Sequence, residues 1–214
     1  MALGFEQFIQ SETWEIDPHN LQVGPSLLGT DQIVATLADK WTAKIVLFAG
    51  LPSLSAFRGW VTSRRGRLIV DQMGPKRELA GSANGRTFGA AVLHDDGTPH
   101  DDGTPYGQGY EATAAAALRA TRITITAPGV TDQFAVGRFF GIGGRLYQIT
   151  ALGGTSATEA TIDFWPPLRA AVAAGESFDW LPRTDMRLSA DTDAPIADRV
   201  GEIFDVTLNL AEVL

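Results

Sequence analysis

Three histidines and a set of carboxylates are the residues of this chain that could bind a metal ion or transfer a proton. The histidines are His19, His94 and His100, and the last two each begin a copy of His-Asp-Asp-Gly-Thr-Pro within residues 94–105. An imidazole beside carboxylates offers the nitrogen and oxygen ligands of a divalent cation. The spacing matches neither an EF-hand loop nor a structural zinc site, and Asp-Gly is a common turn pair. We therefore expect a solvated loop lengthened by duplication, with no metal-ligating residue.

Nucleophilic and nucleotide chemistry have no matching motif in the sequence. Neither a Gly-x-Ser-x-Gly elbow nor a phosphate-binding loop ending in Gly-Lys-Ser or Gly-Lys-Thr occurs. Residues 107–112 resemble part of a dinucleotide fingerprint, but they follow a hydrophilic loop instead of a strand. Asp191 and Asp193 could act as an acid–base pair, yet they lie in a turn-rich stretch that favours a solvated loop. We expect no catalytic residue and no cofactor.

Tryptophan offers a different function, because exposed indoles can form a carbohydrate-binding platform. The five tryptophans are Trp14, Trp41, Trp60, Trp165 and Trp180. Two of them, Trp41 and Trp60, fall on a predicted strand and a predicted helix. Packing in a core or at a subunit interface is therefore the favoured interpretation.

Composition excludes several further classes. With 214 residues, 44% hydrophobic and 20% charged, the chain is suited to one or two folded domains. It has no cysteine, which excludes disulfides, thiolate metal sites and thiol nucleophiles. The net charge of −8 opposes attraction to a phosphate backbone, so we expect no specific nucleic-acid binding. Apolar runs are too short for a transmembrane helix and no signal peptide is visible, so we expect no membrane association.

Glycine and proline separate short apolar segments along the chain, which predicts a mainly β protein. Residues 41–48 and 203–210 alternate apolar and polar side chains most clearly, and 67–73 is predicted to pair with 41–48. A hairpin is predicted around Gly143 and Gly144, because glycine tolerates the positive φ of a tight turn. Further strands are predicted at 120–127 and 158–165.

One amphipathic helix is predicted over residues 52–65. Apolar side chains recur there at helical spacing at Leu54, Phe57, Trp60 and Val61, and arginines followed by a glycine close the segment. We expect this helix to pack on a sheet.

Several segments together resemble the distal tail or tail-hub proteins at the tail tip of long-tailed, siphovirus-like phages and prophages of proteobacteria. The resemblance lies in the order of these segments, which covers most of the chain from residue 28. The segments are 28–32, 40–47, 57–60, 64–68, 102–109, 134–149, 162–169 and 185–188. The doubled hexapeptide and the alanine run at 114–117 depart from the family pattern.

The resemblance implies a β-sandwich or tube-like hub domain with one packed α-helix, and a smaller inserted β-barrel-like domain. On this basis we predict a ring-forming hub of residues 1–93 with 184–214, a solvated loop at 94–105, and an inserted barrel at 106–183. The well-patterned strand at 203–210, which needs a partner inside a sheet, is compatible with this discontinuous hub.

The function implied by the resemblance is that of a structural virion protein, not an enzyme. It would form a homo-oligomeric ring, most simply a hexamer, and would join the tail tube protein to baseplate hub or fibre proteins while DNA passes through its lumen. Its location would be the virion tail tip. Two alternatives stay open: a carbohydrate- or receptor-binding β-module on the same tail tip, and a small enzyme of unrecognised type.

Overall fold

The computed structural model describes residues 9–18, 20–25, 31–34, 38–75, 111–126, 135–155, 159–179, 182–191 and 203–213. In this part of the chain the protein is mainly β with one helix, which confirms the predicted fold class. Contacts divide the chain into two compact units, 1–76 with 185–214 and 77–184. No helix within the described ranges is long and apolar enough to cross a membrane.

Thirteen elements are defined within the described ranges. In chain order they are β1 (Ile9–Asp17), β2 (Leu21–Pro25), β3 (Asp31–Val34), β4 (Lys40–Gly50), α1 (Leu51–Arg64), β5 (Asp71–Met73), β6 (Glu111–Ala112), β7 (Arg122–Thr126), β8 (Phe139–Ile142), β9 (Arg145–Thr155), β10 (Glu159–Trp165), β11 (Thr184–Leu188) and β12 (Ile203–Glu212). Strands β2 and β3 form a separate two-stranded sheet.

The first unit contains a five-stranded sheet in the order β1-β4-β12-β11-β5, called the first sheet below. Strand β4 is antiparallel to both β1 and β12, so Ala43 lies opposite Trp14 on one side and Leu210 on the other. The buried residues of β4 and β12 occupy every second position, which places them on one face. Those that belong to the apolar core cluster of this unit are Ala43, Ile45, Leu47, Val206, Leu208 and Leu210, and the same alternation includes the buried Trp41 and Glu212.

Helix α1 packs in the core of this unit, as the spacing of its apolar residues predicts. Phe57 is buried, and Trp60 and Val61 are partly buried against the same core cluster. The rings of Phe57 and Trp60 stack with centroids 5.8 Å apart. The helix also follows β4 directly, without an intervening loop.

The predicted pairing of residues 67–73 with residues 41–48 is wrong. Only Asp71–Met73 forms a strand, and this strand lies at the far edge of the sheet beside β11. The position beside β4 is taken by β12, which pairs with it from Ile203 to Ala211. The longer apolar alternation of β12 buries more side chains there than the short 67–73 segment could.

The second unit contains a five-stranded sheet in the order β6-β7-β10-β9-β8. Strands β8 and β9 form the predicted hairpin, with Gly143 at φ +58° and Gly144 at φ +71°. Two consecutive residues of positive φ are what a tight primed turn requires. The predicted strands at 120–127 and 158–165 are present as β7 and β10, which pair antiparallel with Ile123 opposite Ile162.

An aromatic cluster forms the centre of the second unit. Phe140, Tyr147, Phe164 and Phe178 are each at most 2% exposed, and the rings of Phe140 and Phe178 stack at 5.2 Å. The Tyr147 hydroxyl accepts a hydrogen bond from the Arg169 backbone N–H at 3.2 Å. This bond satisfies the polar end of an otherwise buried side chain.

Candidate interaction surface

The face of the first sheet opposite its apolar core is polar. Thr13 lies opposite Lys44, Lys44 lies opposite Asn209, and the Ser189 N–H donates to the Asn209 carbonyl at 3.0 Å. Thr13, Lys44 and Asn209 therefore form a row across β1, β4 and β12, and Ser189, which directly follows β11, continues it. Glu15, two positions after Thr13 on β1, lies on this same face.

An open groove of about 330 Å³ follows this row. The residues that line it are Thr13, Glu15, Thr42, Ala43, Lys44, Ser189, Asn209 and Leu210. Hydroxyl, amide, carboxylate and ammonium groups suit hydrogen bonding to a polar ligand or a polar protein surface. Glu15 and Lys44 are exposed, so both charged groups face water.

Among the described residues of the first unit, the large apolar side chains that are exposed follow one another in the chain. Leu68 is 75% exposed, Ile69 39% and Val70 42%, and we call these three residues the apolar strip. The strip leads directly into β5, an outer strand of the first sheet. Consecutive apolar side chains exposed at a sheet edge are characteristic of surfaces that bind another protein chain.

A network of arginines and aspartates holds the apolar strip in place. The Arg64 guanidinium donates to Asp71 at 2.8 Å and lies over the Trp60 ring at 5.1 Å. Burial raises the pKa of the Asp71 carboxyl, while the charge of Arg64 acts in the opposite direction. The helix end and the first residue of β5 are thus joined on either side of the strip.

The turn before the strip depends on Gly66 and Asp191. Gly66 has φ +69°, and a Cβ placed on it would lie 2.5 Å from the Asp191 carboxylate oxygen Oδ1. That oxygen accepts a hydrogen bond from the Arg67 N–H at 3.1 Å. Asp191 therefore connects the loop after β11 to the turn after α1, which gives the strip a defined position.

The opposite edge of the first sheet is strand β1. It pairs with β4 along one side, and no strand within the described ranges pairs with its other side. Glu12, Glu15 and Asp17 make this edge acidic. The edge that carries the apolar strip has mixed charge, because Arg67 lies 3.8 Å from Asp191 and Arg64 donates to Asp71 of β5.

Among the residues predicted from the sequence as candidates for metal binding or proton transfer, Asp191 alone lies within the described ranges. His19, His94, His100 and Asp193 lie outside the described residues, as does the doubled hexapeptide. Asp191 lies in an exposed loop, as predicted, where it bonds to the Arg67 backbone. Within the described ranges, no group of three or more metal-ligating side chains is placed to hold an ion.

The tryptophans that the structure describes do not form an exposed platform. Trp41 is buried, while Trp14, Trp60 and Trp165 are half-buried. Trp14 and Trp60 pack against the core of the first unit. Trp180 lies outside the described residues. Core packing is thus the observed role of the indoles in the first unit.

Sequence reasoning missed a buried acid in the first unit. Glu212 is 4% exposed, and its Oε2 accepts a hydrogen bond from the Trp41 backbone N–H at 3.0 Å. The signal was present in the sequence, because Glu212 continues the every-second-residue pattern of Leu208 and Leu210. The side chain serves the start of β4, where it supplies a hydrogen-bond acceptor.

Comparison of the chain with protein-family models and with curated protein sequences finds no match. The first sheet has three separate surfaces that another molecule could contact. They are its polar face, its acidic edge and its apolar strip. Surfaces of this kind suit non-covalent contacts with other molecules.

Proposed function

We propose that the protein is a structural subunit of a long-tailed phage tail tip, a distal tail or hub protein that forms a ring. In this role it connects the tail tube to the baseplate or fibre apparatus, without catalysis, cofactor or metal. The observation that carries the proposal is the apolar strip on the edge of the first sheet. An exposed sheet edge is a liability for a monomer and an assembly surface for an oligomer.

The resemblance to tail-tip proteins supports the kind of assembly proposed. Two of the segments that carry it, 134–149 and 162–169, supply strand β8, parts of β9 and β10, and much of the aromatic cluster of the second unit. The resemblance therefore falls on residues that build the fold. This is the pattern expected for a protein that serves as a structural part.

The charge of the protein suits a ring around a DNA channel. Each chain carries a net charge of −8, so a ring of acidic subunits would repel the phosphate backbone and let DNA pass without binding. The same charge makes the subunits repel each other. We therefore expect moderate salt to promote assembly of the isolated protein, because ions screen this repulsion.

The polar groove favours a second candidate function, a carbohydrate- or receptor-binding module on the tail tip. Its hydroxyl and amide groups match the hydrogen-bonding groups of a sugar. Sugar sites usually add an aromatic side chain for stacking, and none of the residues that line the groove is aromatic. The ring subunit is therefore the better-supported proposal.

The proposal is tested by measuring the mass of the purified protein and by locating it in virions. Light scattering across salt and protein concentration should detect a closed species of six copies of the 22.9-kDa chain. Electron microscopy of particles carrying an epitope-tagged copy should place the tag at the tail tip. A protein that stays monomeric in all conditions and is absent from tail tips would overturn the proposal and favour the binding module.

A further inference from the structure

We propose that the β6-β7-β10-β9-β8 sheet binds a neutral saccharide on its outer face, with Trp165 as the side chain on which the sugar ring stacks. The outer face of this second sheet is the face opposite the aromatic cluster. The proposal goes beyond the ring function and does not depend on it, because every residue that it uses lies in the second unit.

Trp165 lies on the outer face because burial alternates along β10. The buried residues of this strand are separated by more exposed ones, which are Glu159, Thr161, Asp163 and Trp165. Trp165 is half-buried, and within the described ranges it is not among the side chains that pack against a core cluster. Trp14 and Trp60, by contrast, pack against the core of the first unit. Part of the Trp165 indole is therefore open to a ligand.

A planar ion pair lies beside Trp165 on the outer face. Asp163 is two positions before Trp165 on β10, and it lies opposite Arg122 of β7. Arg122 donates through Nε to Asp163 Oδ1 and through Nη2 to Oδ2, the latter at 2.8 Å. The two side chains are 66% and 28% exposed, so a ligand can reach both. Each carboxylate oxygen can accept a further hydrogen bond, and the guanidinium has further N–H groups to donate.

Gln148 flanks Trp165 on the other side. It lies opposite Trp165 in the pairing of β9 with β10, which places the two Cβ atoms about 4.5 to 5.5 Å apart. Its side-chain N–H donates to the Gly137 carbonyl at 2.9 Å, and this bond orients the amide. An amide so held still has an oxygen that accepts and a second N–H that donates. The indole thus lies between an oriented amide on β9 and an ion pair on β10 and β7.

The chemistry of these groups favours a neutral saccharide as the ligand. An indole suits the apolar C–H face of a sugar ring, while amide, carboxylate and guanidinium groups suit hydroxyls that both donate and accept. Arg122 and Asp163 together contribute no net charge, so they favour neither an anion nor a cation. A protein interface would have an apolar centre. The other outward residues of β7 and β10 are polar instead, namely Thr124, Thr126, Glu159 and Thr161.

The threonines extend this surface along the strands. Thr161 lies opposite Thr124, and their hydroxyl oxygens are 3.1 Å apart. The four residues from Thr161 to Trp165 span about 13 Å of strand. This length exceeds that of one sugar ring, so we expect an oligosaccharide to bind more tightly than a monosaccharide.

Isothermal titration calorimetry of the full chain tests the proposal. The probes are β-linked hexamers of glucose, mannose, galactose and N-acetylglucosamine, and we expect at least one of them to bind. Trp165→Ala should weaken that binding at least tenfold, and Trp165→Phe should restore most of it, because phenylalanine keeps an aromatic face. Trp14→Ala, which removes a half-buried indole from the first unit, is the matched control and should leave the affinity unchanged.

Arg122→Ala keeps the proposal testable if Trp165→Ala does not fold. This side chain is 66% exposed, so the melting temperature should stay the same while the affinity falls at least threefold. Absence of binding to all four hexamers would overturn the proposal. It would equally be overturned if the variants at Trp165 and Arg122 bind as tightly as the wild type. Tighter binding of a galacturonic acid hexamer than of every neutral probe would contradict the neutral class of ligand.

Tryptophan fluorescence provides an independent readout. Saturation with the hexamer that binds should change the emission of the wild type. The change should disappear in Trp165→Phe, although calorimetry still detects binding by that variant. A change that persists in Trp165→Phe would place a different tryptophan at the sugar and overturn the assignment. None of these outcomes depends on whether the protein forms a ring, so they leave the ring function to be decided by its own test.

Discussion

Replacing Gly66 with alanine tests whether the turn before the apolar strip has the geometry described. Gly66 has φ +69°, a region that L-residues rarely adopt, and its Cβ would lie 2.5 Å from Asp191 Oδ1. Gly59 provides a matched control in the same unit. It lies inside α1, and a Cβ placed on it meets no atom within 4 Å. The same Gly→Ala change should therefore have opposite effects at the two positions.

The expected changes in the free energy of unfolding follow from the surroundings of Gly66 and Gly59. An alanine in the left-handed region costs about 1 to 2 kcal/mol. Displacing the Asp191 carboxylate also removes its hydrogen bond to the Arg67 N–H, which contributes about 0.5 kcal/mol at an exposed position. Gly66→Ala should therefore destabilise by about 1.5 to 2.5 kcal/mol. Gly59→Ala should stabilise by about 0.5 to 1 kcal/mol, because alanine is the better helix former.

Urea denaturation followed by tryptophan fluorescence measures both changes, since Trp14, Trp41 and Trp60 report on the first unit. Repeating Gly66→Ala in an Asp191→Ala background separates the cost of the left-handed backbone from the cost of the lost hydrogen bond between Asp191 and the Arg67 N–H. The penalty there should fall by about 0.5 kcal/mol, because the carboxylate that the methyl group displaces is already absent.

Two results would refute this reasoning. If Gly66→Ala stabilises the protein as much as Gly59→Ala does, the turn is not left-handed at residue 66. If the penalty is the same with and without Asp191, the carboxylate does not approach Gly66. The first result would also remove the basis for a fixed apolar strip.

Three further changes probe the first unit, with the same urea assay as the measurement. Phe57→Ala should destabilise by about 3 to 5 kcal/mol, because it empties a buried ring position beneath α1. Glu212→Ala should cost about 1 to 3 kcal/mol, since the buried Trp41 N–H loses its acceptor. Burial raises the folded-state pKa of Asp71, so the folded state binds a proton more tightly than the unfolded state. Its contribution to stability should therefore fall as pH rises from 3.8 through the raised pKa, and Asp71→Asn should remove this slope.

Each of these changes has an internal comparison. Trp60→Ala should cost less than Phe57→Ala, because the indole is only partly buried. Glu15→Ala, at an exposed position, should be nearly neutral beside Glu212→Ala. A hydrogen bond from Arg122 lowers the pKa of Asp163, so its contribution should be lost as pH falls, with a slope opposite to that of Asp71. If the order of the two losses of stability in a pair is reversed, or if the slope of stability against pH has the opposite sign, the environment that the structure gives those residues would be contradicted.

Local patterns were sufficient to predict several elements. The Gly143-Gly144 hairpin, the strand at 203–210 and helix α1 each have a signal within about fifteen residues: a turn pair, a clean alternation or a helical spacing. Each of these signals depends on backbone conformation or on the spacing of apolar side chains within one segment. The element can therefore be predicted without knowing which strand it pairs with.

Pairing across the chain could not be predicted in the same way. Residues 67–73 have an acceptable strand pattern, but their place at the edge depends on β12, which competes for the position beside β4. Strand β1 was missed because its sequence carries polar residues at most positions, as suits an edge. The candidate surface depends on both edges, so its outline required the structure.

The long separation between β4 and β12 has a consequence for synthesis on the ribosome. Trp41 and its acceptor Glu212 are 171 residues apart, so the first sheet stays incomplete until that stretch has been translated. The second unit is continuous in sequence and needs no residue beyond 184. It can therefore fold before β12, the central strand of the first sheet, has been translated. A polypeptide whose translation stops early would lack β12, and its first sheet would remain incomplete.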